Sequence, residues 1–118
     1  MRGQGKPKPD ARMAQLVSIA AMQRDLHLSR VASLGASIAA TQAAQAALER
    51  PPVEGCDPAL HAAALRHDIW AEHRRTLLRH TQQRQEAALA EQRAVAARAL
   101  ARHETLRALL KNWQDQPS

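Results

Sequence analysis

The sequence predicts an all-α protein, a two-helix antiparallel coiled-coil hairpin whose second helix is longer than the first. Alanine, leucine, arginine, glutamine and glutamate, all strong helix formers, dominate its 118 residues. No run of alternating β-branched residues indicates a strand. Phe and Tyr are absent, so the side chains are too small to fill a multilayer core but suit the narrow seam between two helices. A single proline- and glycine-rich stretch, residues 51–57, divides the helical composition in two.

This dividing stretch contains signals for both a helix end and a helix start. Pro51 and Pro52 cannot donate backbone hydrogen bonds, so a first helix must end near Arg50. Asp57 is a candidate N-cap, and Pro58 suits the first position of a second helix. The sequence therefore predicts helices at about 11–50 and 58–114, joined by a turn at 51–57, within a helical hairpin covering 10–115.

The first helix should begin after Asp10, as its N-cap, and follow a disordered basic tail at residues 1–9. Larger side chains recur at alternating intervals of four and three residues, which predicts one face of a coiled coil. This face contains Met13, Val17, Ala20, Arg24, His27, Val31, Leu34, Ile38, Thr41, Gln45 and Leu48. A second apolar stripe beside it contains Leu16, Ile19, Met22 and Leu26. The first half of this helix is thus apolar over a wider arc than two helices need.

The second helix carries a matching pattern. Its members are Leu60, Ala64, His67, Ala71, Arg74, Leu78, Thr81, Gln85, Ala88, Gln92, Val95, Ala99, Arg102, Leu106, Leu109 and Trp113. A tight corner would place Thr41 opposite His67 and Met13 opposite Val95. The second helix would then extend past the first beyond Val95.

Apolar residues on this predicted overhang would lack a covering helix and form a patch for another protein. The candidate partner-binding residues, with those at the start of the first helix, are Met13, Leu16, Leu100, Leu106, Leu109, Leu110 and Trp113. An earlier start of the first helix, or dimerisation of two hairpins, would also cover this patch. We expect a monomer or a weak dimer.

No enzymatic constellation is evident, and we expect neither activity nor a cofactor. His61, His67, His73 and His80 stand six or seven residues apart, whereas two helical ligands of one metal ion stand three or four apart. Cys56 is the only cysteine, and a two-helix hairpin offers no pocket that excludes water. We therefore predict a non-enzymatic protein without a metal site.

The formal net charge of +6 and a pI near 11 favour anionic partners. Arginines could follow a nucleic-acid backbone, but they surround the second helix instead of lining one face. A nucleic-acid partner is thus the less favoured alternative, and a self-associating structural coiled coil is another. Neither a signal peptide nor a membrane span is recognisable, so we expect a cytoplasmic protein without direct membrane insertion.

Residues 16–26 (LVSIAAMQRDL), 30–34 (RVASL) and 38–39 (IA) resemble the first helix of FliJ and the YscO-type proteins of flagellar and type III export. The second helix is similar in layout at Trp70, Arg74-Arg75, Leu77-Leu78, Ala87-Ala88 and 97–102 (ARALAR). This resemblance implies a cytoplasmic coiled-coil stalk peripheral to a membrane-embedded export apparatus. Such a stalk would link the hexameric export ATPase to the export gate, or handle substrate chaperones.

Overall fold

The computed structural model describes residues 9–116, and they form two long helices. Helix α1 comprises Pro9–Ala46 and helix α2 comprises Pro58–Gln114, with 38 and 57 residues respectively. Arg24 of α1 bonds to His103 of α2, whereas the later Thr41 bonds to the earlier Gln85, so the helices are antiparallel. No strand occurs between residues 9 and 116. The predicted all-α helical hairpin with a longer second helix is confirmed.

The chain divides into two compact units, and each contains part of both helices. The corner unit is Ser33–Leu89, and the terminal unit combines Met1–Ala32 with Ala90–Ser118. Of the predicted basic tail, residues 1–8 lie outside the described residues. Pro9, the last residue of the predicted tail, is the first residue of α1. Asp10 is consequently inside the first turn and not at the N-cap, because proline itself suits the first helical position.

In the corner unit, the two helices meet at a different level from the predicted one. Thr41 Oγ1 donates to Gln85 Oε1 at 2.8 Å, and Gln45 Nε2 donates to Gln82 Oε1 at 2.7 Å. The predicted pairing of Thr41 with His67 is therefore wrong, since its partner lies eighteen residues further along α2 (85 instead of 67). The four-and-three spacing of α1 is nevertheless correct, because Ile38, Thr41 and Gln45 all face α2 or are buried.

Residues 47–57, the connecting segment, explain this shift. Helix α1 ends at Ala46 and not near Arg50, because its last turn tightens: Leu48 N donates to Gln45 O and Glu49 N to Ala46 O. The segment then lies along the first turns of α2, instead of forming a tight corner. Because these eleven residues (47 to 57) cover the beginning of α2, α1 ends level with the middle of α2.

Side chains of α2 hold the connecting segment in place. His67 Nε2 donates to Leu48 O at 3.0 Å, and His61 Nε2 donates to Gly55 O at 2.9 Å. Arg50 forms a two-point ion pair with Asp68, at 3.0 Å from Nε to Oδ1 and 2.8 Å from Nη2 to Oδ2. The Leu48 side chain is only 7% exposed. The segment is therefore a packed part of the corner unit.

The start of α2 agrees with the sequence. Asp57 Oδ1 accepts from Ala59 N at 2.9 Å, which is the bond of an N-cap side chain. Pro58 is the first helical residue, where its missing N–H costs nothing. Gly55 has φ +87°, a left-handed conformation that favours glycine.

In the terminal unit, the same two helices form a seam of small and polar residues. Arg24 Nη1 donates to His103 Nδ1 at 3.1 Å, and Gln92 Nε2 donates to His27 Nδ1 at 3.0 Å. The alanines at the contact are buried, namely Ala20, Ala96 and Ala99. Small side chains let the two backbones approach closely, so this seam encloses little volume.

This pairing removes the predicted overhang of α2. Arg24 lies opposite His103, and Met13 and Gln114 are each eleven residues away from that pair in opposite chain directions. Equal helical rise places these two residues at about the same level. The predicted pairing of Met13 with Val95 is wrong, because it assumed the tight corner that the connecting segment replaces.

Candidate protein-interaction surface

The seven residues predicted to bind a partner all belong to the terminal unit, but they divide into two groups. One group is exposed and contains Leu16, Leu100, Leu109 and Trp113. The other is half-buried and contains Met13, Leu106 and Leu110. Only the exposed group can contact another molecule without opening the hairpin.

The division arises because the seam of α2 lies one residue away from part of the predicted pattern. The structure buries Ala96 and His103, whereas Val95 and Arg102 had been assigned to the seam. The four-and-three spacing predicts Val95 on the seam, but close helix packing accommodates alanine at 96. The same one-residue shift places Leu110 toward the seam and leaves Leu109 half exposed.

Leu109 and Trp113 are the exposed apolar pair at the end of α2. Each is 50% exposed, and residues four apart lie on the same side of a helix. Thr105, Leu109 and Asn112 line a shallow depression on this helix. Leu16 of α1, eight residues before Arg24, comes to a similar level as Lys111, eight residues after His103.

A second concave surface lies between the two helices along one side of the terminal seam, and we call it the flank groove. Extending the residues that line its cavity along each helix, at alternating intervals of three and four, defines one column on each helix. The α1 column is Arg12, Leu16, Ile19, Gln23, Leu26 and Arg30. The α2 column is Glu91, Val95, Arg98, Arg102, Thr105, Leu109 and Asn112.

The inner part of the flank groove is a cavity of about 270 Å³, open to solvent. Its walls are Gln23, Leu26, His27, Val95, Arg98, Ala99 and Arg102. The Leu26 side chain is 49% exposed in this cavity, where an apolar side chain of a partner could cover it. The second apolar stripe of α1 was recognised from the sequence. The two arginines opposite it were not, because their place beside Leu26 depends on the pairing of the helices.

The charge of the flank groove is predominantly positive. Its two columns contain four arginines and one glutamate. Among the described residues, neither Arg98 nor Arg102 forms an ion pair. They stand four residues apart on one helix, where like charges destabilise the helix by a few tenths of a kcal/mol.

The corner unit also exposes apolar side chains. Leu65 and Ile69, four residues apart on α2, are 62% and 65% exposed. Trp70 is exposed as well, with its ring centroid 5.8 Å from that of His67. The predicted pairing placed α1 opposite this part of α2, so these residues were not among the predicted binding residues.

Ion pairs of the corner unit shift the pKa of two carboxylates. The hydrogen bonds and charge of Arg50 lower the pKa of Asp68 below its usual range. Arg79, with a smaller contribution from Arg75, lowers the pKa of Glu72 in the same way. Both carboxylates are exposed, so solvent screens these interactions.

Within residues 9–116, no group of three or more His, Cys, Asp or Glu residues is placed to hold a metal ion. Cys56 is exposed in the connecting segment. Neither described helix includes a segment that is both long and apolar enough to cross a membrane.

The geometry defines a helical hairpin protein with exposed apolar surfaces on both units. Comparisons with known proteins add no further identification: the sequence matches no protein family, and no curated protein or solved structure is significantly similar to it.

Proposed function

We propose that this protein is a non-enzymatic accessory of a flagellar or type III export apparatus, and that it binds other proteins through its terminal unit. It would act in the cytoplasm as a coiled-coil stalk between the hexameric export ATPase and the export gate or chaperones. The observation that carries the binding role is the half-exposed pair Leu109 and Trp113, near the end of α2. The export assignment is supported by the resemblance of α1 residues 16–26 to the FliJ and YscO-type proteins.

Exposed leucine and tryptophan at one helix end are suited to protein recognition. Large apolar side chains gain roughly 25 cal/mol for each Å² that a partner covers, and tryptophan is enriched among the residues that dominate interface energies. An elongated protein partner with an apolar pocket would cover both side chains together. Substituting them should weaken binding without unfolding the hairpin, because neither belongs to the buried seam.

The test is capture of the purified export ATPase encoded in the same genome by the immobilised full-length protein. The binding variant is Leu109→Asp with Trp113→Asp. The matched control is Leu65→Asp with Ile69→Asp, an equally spaced exposed pair in the corner unit. Circular dichroism would verify that both variants retain the helix content of the parent.

Capture by the parent and the control, but not by the binding variant, is the expected result. Equal capture by all three proteins would contradict the terminal site. Absence of capture by the parent, or recovery of nucleic acid in its place, would overturn the export assignment.

A further inference from the structure

We propose that the flank groove binds an acidic amphipathic helix of a partner protein, which packs against α1 and α2 as a third helix. This inference rests on the protein-binding role proposed above, but not on the export apparatus. It concerns the inner part of the groove around Leu26, Arg98 and Arg102, whose cavity is not lined by Leu109 or Trp113. It names the chemistry of the partner: leucine-like residues on one face, with carboxylates beside them.

The shape of the groove fits a helix. A third helix packs against two others by inserting side chains between them, and the cavity at Leu26 is lined by residues of both helices. Its base contains the buried Ala99, and its walls contain Leu26 and Val95. Leu16, Ile19 and Leu26 continue the apolar surface along α1, over roughly 15 Å at 1.5 Å per residue.

The positive charges of the groove favour a partner whose contacting surface is negatively charged. Arg98 and Arg102 project on the cavity wall, and Arg12 and Arg30 belong to the facing column of α1. A partner glutamate at either edge of the groove would relieve the repulsion between Arg98 and Arg102. Complementary charges at an interface rim favour one partner over another and accelerate association.

Two other occupants are less compatible with these residues. A second copy of this chain would place its own four groove arginines against the same four arginines, with only Glu91 of opposite sign in the columns. An anionic membrane surface would satisfy the charge, but it is flat on the scale of a cleft between two helices. A helix with carboxylates satisfies both the charge and the concave shape.

The probe is a fluorescein-labelled synthetic helix of about 20 residues, or roughly 30 Å, with leucine on one face and glutamate beside it. A second peptide replaces every glutamate with lysine, and a third replaces every leucine with glutamine. Binding to the full-length protein is measured by fluorescence anisotropy at low and at physiological ionic strength, because screening distinguishes rim charges from apolar contact.

The groove variant is Arg98→Glu with Arg102→Glu. Its matched control is Arg93→Glu with Arg107→Glu, which makes the same change of net charge on the same helix but outside the groove columns. Leu26→Asp tests the apolar contact separately. Circular dichroism verifies folding, and light scattering at the titration concentrations reports self-association.

We expect the glutamate peptide to bind the parent and the control equally, and to bind the groove variant at least about tenfold more weakly. The lysine peptide should bind the groove variant more tightly than the parent. The Leu26→Asp substitution should weaken binding of the glutamate peptide. The proposal would be overturned if the groove variant and its control weakened binding of the glutamate peptide equally. It would also be overturned if the peptide with glutamine in place of leucine bound as tightly as the glutamate peptide. Either result would mean that general charge attraction explains the binding.

Absence of glutamate-peptide binding would also overturn the proposal. So would self-association through the groove, seen as a molecular mass that rises with protein concentration and falls in Leu26→Asp. Binding only to vesicles that contain anionic lipid would likewise overturn it. The result is separable from that of the ATPase capture. Loss of capture in the Leu109–Trp113 variant with no peptide binding would leave the proposed function standing and remove this inference alone.

Discussion

The corner unit and the terminal unit contain the same two helices but complete their seams differently. In the corner unit, residues 47–57 cover the start of α2 in place of α1, and Leu48 of this segment is buried. Among the described residues of the terminal unit, the two helices pack on each other and the flank groove is open to solvent. A two-helix seam of this composition buries alanine well and large side chains poorly. The connecting segment thus buries a leucine against the start of α2, whereas no described segment covers Leu26 in the flank groove.

The polar residues of the two seams also differ. The corner seam joins neutral groups, Thr41 to Gln85 and Gln45 to Gln82. In the terminal seam, the charged Arg24 donates a hydrogen bond to His103, and His103 is only 5% exposed. Desolvation of such a group opposes stability, so the terminal unit should be the less stable of the two. A surface intended for a partner is commonly located in the less stable part of a protein.

The largest effect should come from Leu48→Ala, which removes the buried anchor of the connecting segment. We expect a loss of about 2 kcal/mol in the free energy of unfolding, since the site is apolar and its neighbours cannot close the cavity completely. Urea denaturation followed by circular dichroism measures this loss. Leu109→Ala in the terminal unit is the matched change and should cost less than about 0.5 kcal/mol. Similar losses in both variants would refute the contrast between the two units.

A smaller effect should come from the terminal seam. Arg24→Ala leaves the Nδ1 acceptor of buried His103 without its donor, and we expect a loss of about 1–2 kcal/mol. Arg24→Leu together with His103→Leu removes both polar groups and should equal or exceed the parent in stability. Urea denaturation of Trp70→Leu, which retains only Trp113, reports this unit by fluorescence. A double variant less stable than Arg24→Ala would show that the pair stabilises the seam.

The smallest effect concerns the exposed pair of Arg50 with Asp68. Because the folded pKa of Asp68 is lowered, its stabilising contribution is present above the ordinary aspartate pKa of about 3.9 and is lost as pH falls through the folded value. Trp70 fluorescence in a Trp113→Leu background should change over this acidic range, because Trp70 contacts the His67 ring, and His67 binds the connecting segment.

Asp68→Asn should remove this part of the acid response. Glu72→Gln is the necessary control, since its partners Arg75 and Arg79 lower the pKa of Glu72 as well. An unchanged titration curve in Asp68→Asn would mean that the ion pair does not hold the segment.

Local features of the structure could be predicted from particular residues. The start of α2 follows from Pro58 and the Asp57 cap, which act within a few residues, whereas α1 ends at Ala46, before the limit near Arg50 that the prolines set. The seam face of α1 follows from its spacing, and so does the exposed stripe of Leu16, Ile19, Met22 and Leu26. On α2, the spacing permitted two adjacent patterns, because Val95 and Leu109 are as apolar as the Ala96 and Leu110 that the structure places on the seam.

The sequence by itself determined that there are two helices, where they are interrupted and which face of α1 is apolar. Only the tertiary structure decided which level of α1 meets which level of α2. A seven-residue repeat looks the same after sliding by one or more repeats, so the pattern cannot select the pairing. The path of residues 47–57 selects it, through the bonds that His61 and His67 donate and the bond that Asp68 accepts from Arg50. That choice removed the expected overhang of α2 and placed Arg98 and Arg102 beside Leu26.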